Sequence, residues 1–106
     1  NKLCFDNAIA SLGKVLYFKT QNNEEGTALA KRFYDMLPLK EDLEESKESL
    51  KLLCNQFLLG NPLVKNNVHF DAFKNIFAKT KKLDDEESIL DDECKGLIQK
   101  VQQIIN

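Results

Sequence analysis

The apolar residues of this chain recur at helical spacing almost from end to end, and no segment alternates long enough to read as a strand. A side chain returns to the same helix face after three or four residues, and to the same strand face after two. A chain that keeps the first rhythm throughout can bury its apolar residues only by packing helix on helix. Five such stretches are legible. The first spans 2–19, with Phe5, Ala8, Ile9, Leu12, Val15 and Leu16 on its stripe and Asp6 as a candidate cap. The second spans 24–37, opened by Asn23 and carrying Glu24 and Glu25 where carboxylates suit the helix dipole. Its stripe is Leu29, Ala30, Phe33, Met36 and Leu37, and Pro38 stops it. The third spans 41–59, with Leu43, Leu50, Leu53, Cys54, Phe57 and Leu58 inward and Gly60 where a C-terminal cap is wanted.

The fourth helix is expected over 69–81, with Phe70, Phe73, Ile76 and Phe77 forming ordinary core. A charged loop is expected from Lys82 to Glu87, and Ser88 is expected to cap a fifth helix over 89–105. That helix turns Leu90, Cys94, Leu97, Ile98, Val101, Ile104 and Ile105 inward. Gly13 lies inside the first helix, where it costs about 1 kcal/mol relative to Ala; a closely packed neighbour is the usual compensation.

Composition removes several classes. The 106 residues make one domain or a piece of one, and the chain opens on Asn, so its ends read as cut. No apolar run approaches the roughly 18–20 residues of a membrane span. The 15 bases include a single arginine, Arg32, against 17 acids, which argues against nucleic acid, whose recognition leans on Arg. Cys4, Cys54 and Cys94 lack metal-ligand spacing, and His69 is the only histidine, so three reduced thiols are expected, with Cys54 and Cys94 buried. A phosphate loop, nucleophile elbow or paired histidines are not present, so no enzyme activity and no cofactor are expected.

Five helices in short antiparallel pairs can close into a bundle or stack as repeated hairpins. The long first, third and fifth helices start roughly 40–48 residues apart, with shorter helices between them, which favours the stack. Asp6-Asn7-Ala8, Met36-Leu37-Pro38-Leu39-Lys40-Glu41-Asp42, Leu53-Cys54 and Asn61-Pro62-Leu63-Val64 follow one another in an order that resembles the C-terminal end of a karyopherin-β nuclear transport receptor of the importin beta-3 type. The resemblance covers essentially the whole chain. It departs at Asp35-Met36, where relatives often carry an aromatic, and over the acidic 82–93 stretch. It implies an all-α fold, an α-solenoid of HEAT-type antiparallel hairpins of about two and a half repeats. Residues 1–20 would be an orphan B helix, 21–60 a repeat and 61–106 the C-terminal repeat. It also implies protein transport: basic protein cargo, Ran-GTP bound mainly through earlier repeats, phenylalanine-glycine nucleoporins, and residence in cytoplasm and nucleus. The alternative is a free-standing five-helix bundle serving as an adaptor subunit or small-ligand carrier.

Within that frame the third helix carries a candidate cargo-facing acidic stripe, Glu41, Glu44, Glu45 and Glu48, at i, i+3 and i+4 spacing. The bland reading is a solvated helix start, with Lys47 and Lys51 compensating. Tyr34, off the main stripe of the second helix, is the candidate nucleoporin-groove aromatic. Ser88, followed by Asp91, Asp92 and Glu93, is a candidate phosphosite. The acids between Asp84 and Glu93 lack the alternation and the central Gly of a calcium loop, so no metal is expected there. No membrane partner is expected. The first helix lacks a preceding neighbour, so its wide apolar stripe predicts self-association through that helix.

Overall fold

The computed structural model describes residues 2–106, except for the side chain of Leu3. The helices are α1 (Lys2–Lys19), α2 (Glu24–Asp35), α3 (Leu43–Leu58), α4 (Phe70–Glu87) and α5 (Asp92–Ile105), with a 3₁₀ turn at Asn67–His69 before α4. Among the described residues 77% are helical and none forms a strand, so the all-α expectation holds.

The local signals explain most boundaries. Asn23 accepts the Gly26 N–H at 2.9 Å and opens α2. Gly60, at φ +83°, closes α3 in the left-handed conformation that glycine adopts without a Cβ penalty. Its N–H donates to Phe57 O and that of Asn61 to Gln56 O, both at 3.0 Å, satisfying two carbonyls of the last turn. Several boundaries differ from the sequence reading. Asp42 caps α3 by accepting the Glu45 N–H at 3.0 Å, so the helix starts at Leu43 rather than 41. Helix α2 ends at Asp35, because the residue before a proline is pushed out of helical conformation.

The largest difference is at the end of α4. Helix α4 continues through Glu87, where a loop was expected. Lys and Glu are good helix formers, and Lys81 pairs with Asp85 at 3.2 Å one turn on. Ser88 then ends α4 in the left-handed region at φ 52°. It does not cap α5; Asp91 does, accepting the Cys94 N–H at 2.8 Å.

Packing runs along α1, α3 and α5 on one side and along α2 and α4 on the other, with α1–α2 and α4–α5 contacts joining the two rows. The molecule measures 38 × 35 × 19 Å, and its short axis is about two helix diameters of ~10 Å. Helix α2 lies closer to α1 than to its other sequence neighbour, α3. Gly13 is the reason: a Cβ there would sit 2.6 Å from Phe33 Cζ, so the ring of α2 rests directly on the α1 backbone.

Aromatic rings cross the core. Tyr17 meets Phe33 edge-on at 5.9 Å, Phe33 meets Tyr34 at 5.5 Å, Tyr34 meets Phe73 at 4.8 Å and Phe73 meets Phe57 at 6.0 Å. Of these the Phe33–Tyr34 contact is tilted and the other three are edge-to-face, a geometry that adds roughly 0.5–1.5 kcal/mol each beyond burial. Two polar pins hold the turns. Asp6, 5% exposed and inside α1 rather than capping it, accepts the Glu41 and Asp42 N–H groups at 2.9 and 2.8 Å. Asn61 donates to Tyr17 O at 3.0 Å and so ties the end of α1 to the α3–α4 connection.

The two edges of the α1–α3–α5 row differ. Helix α5 turns Cys94, Ile98, Val101 and Ile105 inward and mostly polar residues outward. Helix α1 buries Ile9, Leu16 and Tyr17, yet leaves Phe5 and Phe18 each 62% exposed and Val15 47% exposed. An apolar residue set that encircles a helix is the pattern of one covered on both sides.

Candidate functional site

The acidic stripe is divided by the way α3 begins. Glu41 falls outside the helix and faces Lys2 at 3.6 Å. Glu44 turns to Lys47 at 3.1 Å. Glu45 and Glu48 are brought together on the α1–α3 side, where they and Lys14, Ser49, Leu52 and Ala10 line a groove of about 320 Å³, Glu48 also lying 3.9 Å from Lys51. The four carboxylates therefore do not form one face; Glu45 and Glu48 form the part that a ligand could reach together.

Lys47 and Lys51 do more than offset the stripe. Lys51 reaches Asp91 at 2.9 Å and Glu93 at 3.2 Å, and Lys47 reaches Asp91 at 3.8 Å. The Asp91 carboxylate thus caps α5 and receives the lysines of α3. Its pKa is lowered, first by the Cys94 N–H and then by Lys51. Lys51 is held charged well above its ordinary range by Asp91 and Glu93. The acids at 91 and 93 are in this way partly spent on joining α5 to α3. No partner-recognition role was needed to explain them.

Tyr34 is a correction. It is 1% exposed, not a surface aromatic, and its hydroxyl donates to Leu63 O at 2.9 Å. Burial raises its pKa far above the phenol range. It lies off the α2 stripe because α2 has a second buried neighbour, α4, which the single-stripe reading did not anticipate. Ser88 is exposed at the end of α4, with Asp84, Asp91 and Asp92 nearby in sequence. Its left-handed backbone is an α4 terminus and not the α5 cap expected of it.

Cys54 and Cys94 are fully buried and Cys4 is exposed. Burial pushes the Cys54 thiol up to about 12 and the Cys94 thiol up to about 11, which keeps both as thiols rather than nucleophilic thiolates. His69 is 1% exposed against Tyr34, with ring centroids 5.0 Å apart, and neither ring nitrogen has a hydrogen-bond partner among the described residues. Among the described residues, no group of three or more His, Cys, Asp or Glu side chains is placed to hold a metal ion. No helix of the described residues is long and apolar enough to cross a membrane.

No family model and no solved structure matches this chain. Function has to be read from the grooves and edges themselves.

Proposed function

We propose that this chain is a protein-binding scaffold, a segment of a HEAT-type α-solenoid from an importin-like transport receptor. The observation that carries the reading is the two-row packing, α1–α3–α5 against α2–α4, with an edge helix that is apolar on its outer side. Stacked hairpins bury each unit between two neighbours, so an internal edge stays apolar and a terminal one is polar. Helix α1 has the first character and α5 the second. The order of short motifs from Asp6 to Val64 adds the transport-receptor assignment.

On this reading α1, α3 and α5 are the B helices, and basic cargo is met by Glu45 and Glu48 in the α1–α3 groove. Ran-GTP and nucleoporin contacts belong to the wider receptor, and the protein works in cytoplasm and nucleus. A calorimetric titration with a Lys/Arg-rich nuclear-localisation peptide tests this. Binding should weaken by tenfold or more in the Glu45→Lys/Glu48→Lys variant. Unchanged binding, or none by the parent chain, would remove the cargo assignment.

A further inference from the structure

The α3–α4 connection is fastened to α2 through Tyr34. The Tyr34 hydroxyl donates to Leu63 O at 2.9 Å, and its ring meets His69 edge-on at 5.0 Å. His69 ends the 3₁₀ turn, its backbone N–H donates to Asn66 O at 2.9 Å, and its ring lies 6.2 Å from that of Phe73 in the first turn of α4. Leu63 and Val64 of the same segment are buried, while Lys65, Asn67 and Val68 are exposed. The segment therefore has a sealed inner side and a loose outer one.

The residue at the end of that seal is the one histidine of the chain. Both of its ring nitrogens are buried, and neither has a hydrogen-bond partner among the described residues. A buried polar group without a partner is costly, and an apolar ring of similar size would fill the place without that cost. Protonation makes both nitrogens donors and adds a charge. The surroundings do not receive it. Tyr34 has already given its hydroxyl hydrogen to Leu63, Phe73 is apolar, and the field of Lys31 on α2 opposes a second cation. The other charged side chains within about one turn of these rings, Arg32 and Asp35 on α2, Asp71 and Lys74 on α4 and Lys65 in the connection, are all exposed.

We infer that His69 is a pH-operated latch on the α3–α4 connection. When a proton from solvent adds to its bare ring nitrogen, the ring leaves Tyr34 and Phe73, the Tyr34–Leu63 bond opens with it, and residues 63–69 detach while the five helices stay packed. Asn61 keeps the base of the connection tied to Tyr17 O. Opening a short segment with few anchors is easier than unfolding the domain, so protonation acts there first. No other side chain with its ordinary pKa changes charge between about pH 5.5 and 7.5. The latch does not depend on the transport-receptor reading.

The test is amide hydrogen exchange on the full chain at pH 5.5 and 7.5, normalised to intrinsic rates, with the His69 ring followed by NMR. The hydrogen-bonded amides of Val64, Lys65 and His69 should lose protection by about fivefold or more at the lower pH, in step with the single imidazole signal. Amides of Leu50–Phe57 in α3 should stay within about twofold. In His69→Phe the connection should be equally protected at both pH values. Lys31→Glu, a surface change that replaces the repelling cation with a carboxylate, should shrink the pH effect at least twofold. Equal loss of protection in α3 would make the event global unfolding and overturn the latch. So would an imidazole that titrates while the 63–69 amides stay protected, or a pH effect of full size in either variant.

Discussion

Replacing Asp6 with Ala should loosen the α2–α3 turn more than any surface change of similar size. Asp6 is a buried carboxylate whose one oxygen accepts two backbone N–H groups, from Glu41 at 2.9 Å and Asp42 at 2.8 Å. Charge-assisted bonds of this kind are roughly twice as strong as neutral ones. Removing the acceptor leaves two donors to find water at a part-buried site, and an orphaned donor costs about 1–3 kcal/mol. Water can reach part of that turn, so the lower half of the range applies and the total is about 2–4 kcal/mol. For a domain of this size that is a fall in Tm of roughly 9–18 °C. Asp6→Asn keeps an oxygen acceptor but loses the charge and brings a donor toward donors, so it should cost about half as much. Urea denaturation followed at 222 nm gives both values. Asp6→Ala within 0.5 kcal/mol of the parent would refute the reasoning, because the two bonds would then contribute nothing net.

Gly13→Ala should destabilise by about 1–2 kcal/mol in the same assay, despite Ala being the better helix former, because the new Cβ meets the Phe33 ring. His69 has its pKa lowered by burial first and by Lys31 second, so the folded state takes up its proton less readily than the unfolded chain. Stability should therefore be full above about pH 6.5 and fall as the pH drops below it, and His69→Phe should flatten that slope in pH-dependent urea melts. In the native protein Cys4 should be labelled by a maleimide quickly, while Cys54 and Cys94 should react only at the rate of opening, as mass spectrometry would report.

The sequence was most readable where one residue dictates a local geometry. Asn23, Gly60 and the helical spacing of Phe73, Ile76 and Phe77 each have one good structural solution, and the fold adopts it. Gly13 was readable as a close approach, though not which ring would approach. Reading failed where two local solutions were nearly equal. Ser88 and Asp91 are both good N-caps, and the choice fell to Asp91 because its second oxygen also meets the lysines of α3. Residues 82–87 carry charge but also strong helix propensity, and the Lys81–Asp85 pair supports the added turns. Asp6 and Tyr34 depended on partners 35 and 29 residues away, the backbone of Glu41 and of Leu63, and no local pattern announces such a bond. The acidic stripe was visible as spacing, but the exclusion of Glu41 from the helix depended on Asp42 starting it two residues late.

The account turns on α1 and α5 lying at opposite edges of α3, and a spin-label distance measures that directly. Labels at Ser11→Cys on α1 and Lys100→Cys on α5, in a Cys4→Ser background, would be read by double electron–electron resonance. Both positions are exposed, and Cys54 and Cys94 stay unlabelled in the core. With α3 between them, two interhelical spacings of ~8–10 Å and two label arms place the main distance at roughly 25–35 Å. A closed bundle would bring α1 against α5 at a single spacing, with a distance of about 20 Å or less. The longer distance is what the stacked arrangement requires, and the shorter one would contradict it.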